Sequence, residues 1–538
     1  MIDSLVHNIA SHLSDLSDIN IPVVAATGLF LVAVYKLLIY SLFLSPLSRI
    51  PAAHWSSHVC PLWIYYIRYK MVENQTIHEL HKRKGPILRT APHQLSVNCY
   101  EGGLKTIYTG GFHKTDFYHN RFVNYGVDPM FAMSGKEHSQ RKRMLSHVYS
   151  KSYILSSPTV RETTKAVLFD RLMPSIKEAA DSRKSIEVLA MLAAYSMDAF
   201  TTYQFGLSLG TNFLQNVEER KWYLYLFYVR RPYLFWTTEL PKFTAMARRI
   251  GIKLVPDWVE KSSTDLEEWQ ISICDKAENL LSSEATVAVQ DKPLVYEWER
   301  TAFKKQDCKV QALNGQPYPR RLELASDMYD HNAAAHETSG DTLTYVFYEL
   351  SRRPELQDRL REELCTLSPK LSYPKSWDDT DLPDAKAVDQ LSLLDAVLQE
   401  TLRLWVAVPG GQPRVTPSPS CTLAGYDHIP PGVRVQSAGY TIHRNPKIFP
   451  QPDEWIPERW LGQTPERLSE MRKWFWAWGS GGAMCIGSNI ATHSMKHCIA
   501  GVYTNYTTSI VGAPNMELAE GFTAGPKGGK LELMFQHV

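Results

Sequence analysis

The chain has 538 residues, enough for several domains of ordinary size, and 44% of them are hydrophobic, which is too many for a disordered protein. Its 58 basic and 56 acidic residues leave a formal net charge of +2, so no overall electrostatic field favours nucleic acid or another charged partner. Eight cysteines are scattered without a CxxC pair, which argues against a disulfide-rich secreted scaffold and against a zinc ribbon. Most of these cysteines are therefore expected to be reduced and buried.

An apolar segment lies near the start of the chain. Residues 21–44 carry one charge, Lys36, and a helix of this length would span about 36 Å, enough to cross a bilayer core. Acidic rather than basic residues precede it, which predicts a retained anchor rather than a signal peptide, with a buried core helix as the alternative. Basic residues follow it, as at 82–84, and place the bulk of the chain in the cytosol. The sequence predicts a single-pass protein of the endoplasmic reticulum membrane, with a short lumenal segment over 1–20 and a proline hinge over 45–52.

Residues 53–538 show no linker or repeat and are predicted to form one large, mostly helical unit. Helical periodicity predicts a long helix over 321–351 and a second over 391–405, where a Pro-Gly-Gly turn follows. Short runs in which apolar and polar residues alternate, between 421 and 440, predict a small sheet beside the helices. The strongly aromatic stretch 222–236 is predicted to pack in the core, with the roof of an apolar pocket or a lipid-facing surface as alternatives.

Cys485 lies in a glycine-rich loop directly before a helical pattern. Glycines let a backbone approach a flat group closely, and N–H groups at a helix start favour a thiolate, so the loop suits a metal-bound sulfur. A lone cysteine of this kind is more often an inert buried residue. Zinc is a further alternative, because His493 and His497 stand one helical turn apart beside Cys498.

Several further motifs follow one another along the chain. Glu400 and Arg403 stand three residues apart on one helix face, where they can form an ion pair, and Arg459 offers a second guanidinium. In order, the chain contains AAHETS in the long helix, ETLR, PR ending at Arg414, IPPG, HRNP, PERW and the loop of Cys485. This ordered set resembles the cytochrome P450 family, in its membrane-anchored fungal type, over nearly the whole chain.

The resemblance implies a mainly α-helical P450 fold with a small β lobe, preceded by one transmembrane helix. It implies that Cys485 is the proximal ligand of the iron of haem b, iron protoporphyrin IX. Thr338 matches the hydroxyl that supports proton delivery during oxygen activation, and Glu337 is its acidic neighbour. A lone threonine at such a position commonly bonds back to its own helix instead. The residues that match the family's buried, structural ion-pair network are Glu400, Arg403 and Arg459.

This chain departs from the family pattern around the expected haem. Trp478 stands where the family usually has phenylalanine, and Ala483 stands where it usually has arginine or histidine reaching a haem propionate. We therefore expect haem to be bound but held less firmly, because a charge-assisted hydrogen bond is missing. The residues expected to neutralise the propionates instead are Arg414, Lys142, Arg143 and His138.

The resemblance also implies a reaction. The chain is expected to use O2 and electrons from NADPH, passed through a separate flavoprotein reductase, to insert oxygen into an apolar small molecule. Single or successive hydroxylation of a polyketide, a terpenoid or a hybrid in a fungal secondary-metabolite pathway is the expected activity, although a fold does not define a substrate. The alternatives are a haem-thiolate isomerase or dehydratase that works without O2, and a non-catalytic membrane haem protein.

Two surfaces are expected to serve this reaction. Apolar segments are predicted to line the substrate pocket beside the long helix, at 130–133, 406–409 and 522–524. Basic residues near the proximal face are candidates for meeting an acidic reductase. These basic residues are Arg141, Lys142, Arg143 and Lys496.

Overall fold

A computed structural model describes residues 21–283, 286–314, 320–374 and 381–538, so the predicted lumenal segment 1–20 lies outside the described residues. The α-helices of the described residues are α1 (Ile21–Val34), α2 (Leu62–Tyr69), α3 (Glu73–Lys84), α4 (Asp116–Phe122), α5 (Gly135–Leu145), α6 (Lys151–Ser156), α7 (Pro158–Lys165), α8 (Met173–Ser182), α9 (Val188–Phe205), α10 (Val217–Val229), α11 (Leu234–Thr238), α12 (Pro241–Arg249), α13 (Asp257–Ser282), α14 (Leu294–Asn314), α15 (Arg321–Ser351), α16 (Pro354–Leu364), α17 (Ala385–Asp389), α18 (Ser392–Leu404), α19 (Gly439–Ile442), α20 (Pro465–Trp474) and α21 (Ser488–Asn505).

Short strands form small sheets beside this helical body. The strands are β1 (Ile87–Ala91), β2 (Gln94–Val97), β3 (His113–Lys114), β4 (Ile186–Glu187), β5 (Arg414–Val415), β6 (Cys421–Leu423), β7 (Tyr426–Ile429), β8 (Arg434–Gln436), β9 (Tyr506–Val511) and β10 (Glu532–His537). One sheet has the order β1-β2-β8-β5-β3, a second has β4-β10-β9, and β6 pairs with β7. The predicted mainly α-helical fold with a small β lobe is confirmed.

Helix α15 is the central element of the body. Its bounds agree with the prediction, and Pro354, which cannot continue a helix, starts α16 three residues after it ends. Its side chains are buried along most of its length, and it packs closely against α9. At Gly340 a Cβ atom would lie 2.8 Å from the Cα of Ala193, so only glycine permits this close approach of the two helices.

The apolar segment near the start of the chain forms one exposed helix. Pro22–Leu44 comprises 23 residues, and its second part, Tyr35–Leu44, is π-helical. The most apolar stretch of Pro22–Leu44 is not buried against the rest of the protein. The buried Arg89 donates hydrogen bonds of 2.9 Å to the carbonyl and hydroxyl oxygens of Ser41, which attaches the end of the helix to the sheet. This exposure argues against a core helix and suggests a membrane anchor. The division into anchor, hinge over 45–52 and catalytic domain over 53–538 stays a prediction.

The aromatic stretch 222–236 packs on α15, as expected. Tyr223 is fully buried, and the rings of Tyr223 and Phe227 meet the ring of His336 edge-on at 5.2 and 4.5 Å. Tyr225 on the opposite face is 65% exposed. The stretch thus packs on the middle of α15 with one face, and the roof of an apolar pocket stays a prediction.

Candidate functional site

The loop that carries Cys485 is a tight turn held by its own backbone. The N–H of Cys485 donates to the carbonyl of Trp478 at 2.8 Å, and the N–H of Met484 donates to the carbonyl of Gly481 at 3.1 Å. Gly481 has a φ of +66°, and a Cβ there would lie 2.4 Å from the carbonyl oxygen of Tyr108. Glycine is therefore required at this position for two separate reasons, conformation and space.

Cys485 faces an internal space at the start of α21. Its side chain is accessible to solvent although protein surrounds it, and this burial raises the pKa of its thiol. The N–H groups of Gly487 and Ser488 and the charge of Lys142 lower the same pKa. Donors at a helix N-terminus and a nearby cation stabilise a thiolate rather than a thiol, so the site suits a sulfur ligand to a metal.

Lys142 and His138 lie one turn apart on α5, close to this loop. The Lys142 ammonium donates to the carbonyl of Gly482 at 2.9 Å and also to that of Met484. Burial, followed by the charges of Lys114, Lys142 and Arg414, lowers the pKa of His138 to about 3. His138 is therefore neutral and offers a hydrogen bond but no charge, unlike the role that the sequence predicted for it.

Lys114 is a cation of this region that the sequence did not reveal. It lies directly opposite Arg414 in the antiparallel pair of β3 and β5, and burial together with the like charges of Arg414 and Lys142 lowers its pKa to about 7. The ammonium donates to the carbonyl of Phe131, and the buried Arg414 donates to the hydroxyl of Tyr118 at 2.6 Å. Neither cation has a carboxylate partner within 4 Å among the described residues. Like charges placed opposite each other destabilise a sheet, so the pair fits an anionic group bound between them.

The carboxyl group closest to this cluster does not neutralise it. Burial and the charge of Asp327 raise the pKa of Asp330 to about 8, so Asp330 holds its proton at neutral pH. Arg414 and Lys114, the latter about half protonated at neutral pH, thus meet without an ionised carboxylate beside them among the described residues. A haem group, which carries two propionates, fits both this cluster and the thiol of Cys485.

Helix α15 passes the same internal space with small side chains. Ala334 is exposed in the middle of an otherwise buried helix, while Ala335 and Thr338 are half-buried. The hydroxyl of Thr338 donates to the carbonyl of Ala334 at 2.8 Å, which is the bond to its own helix that the sequence left as an alternative. This bond uses the hydroxyl proton and leaves the oxygen free to accept from a water molecule. The buried carboxylate of Glu337 forms an ion pair with Arg231.

The ion-pair network around Glu400 is complete and buried. Glu400 and Arg403 are both fully buried, and the carboxylate accepts bonds of 2.9 and 2.8 Å from Arg403 and of 2.9 Å from Arg459. The indole of Trp460 and the N–H of Ile456 donate to the same carboxylate at 3.0 and 2.9 Å. The network joins α18 to the PERW segment and lies apart from the reactive space.

The structure brings together most of the predicted pocket segments. The N–H of Ala524 donates to the carbonyl of Ala407 at 3.1 Å, and the N–H of Gly410 donates to that of Phe522 at 3.3 Å. The ring of Phe122 meets those of Phe131 and Phe522 at 5.0 and 5.8 Å. The predicted segments 130–133, 406–409 and 522–524 therefore converge, together with α4, which the sequence did not indicate.

Two of the basic residues that were expected to meet a reductase are buried and paired with carboxylates. Arg141 is buried and pairs with Asp327 and Glu323 on α15, and Lys496 is 2% exposed and pairs with Asp395 at 2.7 Å. Neither side chain can reach a reductase, so both assignments were wrong. Arg143 is exposed on α5 and makes no described contact with the cysteine loop, because it points away from the face shared by His138 and Lys142.

The zinc alternative finds no support. His493 bonds to the hydroxyl of Thr164 at 3.1 Å, and His497 bonds to the carbonyl of His493 at 2.8 Å. The part of the chain that the structure describes contains no group of three or more His, Cys, Asp or Glu side chains arranged to hold a metal ion. The two histidines therefore have structural roles within the core.

Comparison with known proteins agrees with this geometry. The sequence profile of the family described as Cytochrome P450 matches residues 58–533. The chain is 27% identical to the cytochrome P450 monooxygenase avaI of Aspergillus versicolor over 78% of this chain and 95% of the relative. It is 24% identical to the cytochrome P450 monooxygenase oblB of Cochliobolus heterostrophus over 89% and 88% of the two chains, and 25% identical to macH of Penicillium terrestre over 92% and 93%. This chain belongs to the cytochrome P450 family of haem-iron oxidoreductases and is a monooxygenase.

Proposed function

We propose that Cys485 binds the iron of haem b and that the enzyme inserts oxygen from O2 into an apolar small molecule. The observation that carries this proposal is the position of the Cys485 sulfur, at the start of α21, beside an internal space that also receives the unneutralised charges of Lys114 and Arg414. The relatives come from filamentous fungi and are named as monooxygenases. A polyketide, a terpenoid or a hybrid of a secondary-metabolite pathway is the proposed substrate, and single or successive hydroxylation is the proposed reaction.

Each side chain has a proposed part in holding the cofactor. Lys114, Lys142 and Arg414 neutralise the propionates, His138 donates a hydrogen bond, and Trp478 packs beside the loop. When bound, the haem activates O2, and the thiolate ligand favours O–O cleavage. The network of Glu400, Arg403 and Arg459 keeps the protein folded around the cofactor and takes no part in the chemistry.

Protons reach the reactive space through α15 in this proposal. The oxygen of Thr338 accepts a hydrogen bond from water, because its own proton is held by the carbonyl of Ala334. Glu337 relays protons to that water: its carboxylate, on the side of Arg231, accepts a proton from solvent and then donates it. The small side chains of Ala334 and Ala335 leave room for substrate while the surrounding apolar segments exclude bulk water.

The proposed partners are a membrane and an NADPH-dependent reductase. The proposed location is the cytosolic face of the endoplasmic reticulum membrane. Exposed apolar side chains outside the anchor support contact with a membrane: Leu62 is 71% exposed and Ile250 is 70% exposed. Aromatic rings connect α2, which carries Leu62, with α12, which ends just before Ile250: the ring of Tyr69 meets that of Trp236 at 5.7 Å, and Trp236 stacks on Phe243 at 6.5 Å. This continuous apolar surface fits the membrane boundary beside a helical anchor.

Two measurements test the proposal. The reduced, CO-bound protein is expected to show the Soret band of a thiolate-ligated haem, and the variant Cys485→Ser is expected to lose it. Cys498→Ser, which changes a buried cysteine on α21, is the matched control and should retain the band. A band that persists in Cys485→Ser would overturn the ligand assignment. Oxygenated product formed only with O2, NADPH and reductase separates a monooxygenase from an isomerase and from a non-catalytic haem protein.

A further inference from the structure

Arg121, in the last turn of α4, is a buried cation that the proposed chemistry does not use. Protein surrounds its guanidinium, which lies over the rings of Phe522 and Phe122 at 5.2 and 5.7 Å. No hydrogen bond or ion pair involves this guanidinium among the described residues. The side chain retains some accessible surface, so it faces an internal space rather than packed side chains.

The acidic groups in electrostatic range of Arg121 are already neutralised by others. Glu239 is held by Arg68 and Arg434 at 3.1 and 2.8 Å, and these two arginines keep the pKa of Glu239 well below its usual range. Glu337 is paired with Arg231. Burial lowers the pKa of Arg121 only to about 10, so the side chain stays charged at neutral pH.

Asp341, one turn beyond Glu337 on α15, does not supply the missing charge either. Burial and the charge of Glu337 raise its pKa to about 8, so it is mainly protonated at neutral pH. The nearby Arg230 donates to the hydroxyl of Ser263 at 3.2 Å, and its like charge acts on Arg121 as a repulsion. Arg121 therefore keeps its full positive charge without an ionised carboxylate partner among the described residues.

This charge lies beside the segments that are predicted to line the substrate pocket. Phe522 belongs to the loop that bonds to Gly410, after α18, and its ring closes on Phe122 of α4. Glu337 lies in electrostatic range of Arg121 and three residues beyond Ala334, the exposed position in the middle of α15. The guanidinium thus lies between the Phe522 loop and the middle of α15, where the predicted pocket segments converge.

We infer that the substrate is an apolar skeleton that carries a carboxylate, and that Arg121 binds this carboxylate beside the ring of Phe522. The inference rests on the proposed function and adds a substrate class to it. A guanidinium presents a planar fork of N–H donors that matches a carboxylate with two parallel hydrogen bonds. Burying a cation without a partner costs free energy. An anionic ligand removes this cost, whereas a neutral ligand of the same shape does not.

The test uses probes whose anchoring does not depend on the natural substrate. A series of ω-(imidazol-1-yl)alkanoic acids of increasing chain length, and the methyl ester of each, is titrated into the purified haem-loaded enzyme, with the Soret shift caused by imidazole coordination as the measure of binding. At a chain length that reaches Arg121, the acid is expected to bind about tenfold to a hundredfold more tightly than its ester. Arg121→Gln should abolish this preference, and Arg121→Lys, which keeps the charge without the fork, should retain part of it.

Arg249→Gln is the matched control, because it removes an exposed arginine from α12, and it should leave the preference unchanged. The inference would be overturned by any of three results: equal binding of acid and ester at every chain length, no binding of either, or a preference for the acid that survives in Arg121→Gln. The reduced CO spectrum of the same samples reports on the proposed haem-thiolate enzyme. Loss of that band would therefore be a failure of the proposed function and would be visible as such.

Discussion

The substitution Glu400→Gln tests the buried network most directly. It preserves the shape of the side chain and removes its charge, so Arg403 and Arg459 lose their shared counter-ion. Arg403 keeps bonds of 3.0, 2.7 and 2.8 Å to the carbonyls of His443, Pro452 and Glu454, and these bonds position the guanidinium without neutralising it. Removing one partner of a fully buried ion pair costs about 3–5 kcal/mol.

That cost is a large part of the stability of an ordinary protein, which is about 5–15 kcal/mol. We expect Glu400→Gln to lower the haem-to-protein ratio after purification and the midpoint of thermal unfolding, while molecules that retain haem keep the thiolate band. Glu458→Gln is the control: Glu458 pairs with Arg359 at 2.8 Å, but both side chains are about half exposed, so the expected cost is about 0–1 kcal/mol. Equal unfolding midpoints for the two variants would refute the assignment of Glu400 as a structural centre.

Three further predictions follow from single positions. Gly481→Ala should lower haem content, because a φ of +66° and a carbonyl oxygen 2.4 Å from the new Cβ both oppose a side chain. Gly482→Ala is the control and should be tolerated, because no atom lies within 4 Å of its Cβ position. Similar haem content in the two variants would contradict the loop geometry. Thr338→Ala should lower the product formed per NADPH by about tenfold or more, whereas Thr342→Ala, one turn away, should not; equal coupling in both would remove Thr338 from the proton path. The pKa of Asp341 is raised to about 8 in the folded protein, so the folded state keeps a proton that the unfolded state has already released, and stability falls as the pH rises toward 8. Asp341→Asn cannot ionise, so its free energy of unfolding should gain about 1–2 kcal/mol relative to the parent between about pH 6 and pH 8. A difference in unfolding midpoint that stays constant over this range would show that Asp341 is ionised throughout.

Local motifs in the sequence predicted local structure well. The bounds of α15 follow from the 3.6-residue period of its apolar positions and from Pro354, and the turn at Cys485 follows from its glycines. Glu400 and Arg403 are three residues apart, so their contact is a property of any helix. In each case the interacting groups are close in the chain, and periodicity or spacing is sufficient.

Charges that meet through tertiary structure could not be predicted in the same way. Lys114 faces Arg414 only because β3 pairs with β5, and no pattern in the sequence indicates a pairing between segments so far apart. The errors at Arg141 and Lys496 have a related cause, since sequence places basic residues on a helix but does not tell which face packs against acidic partners. Arg121 was missed because an isolated arginine in a short helix has the appearance of an ordinary surface residue.

Lys114 also changes the expectation attached to Ala483. The sequence predicts weaker haem binding because Ala483 lacks the usual cation, but the structure places Lys114 beside Arg414 without a carboxylate partner. If Lys114 supplies part of the missing charge, Lys114→Met should increase the rate of haem loss several-fold. Ala483→Arg should then raise the haem-to-protein ratio modestly in the parent and strongly in the Lys114→Met background, because two cations that serve the same anion are not additive. An equal effect of Ala483→Arg in both backgrounds would mean that the two positions act on different groups, and no effect in either would mean that position 483 does not reach the propionates at all.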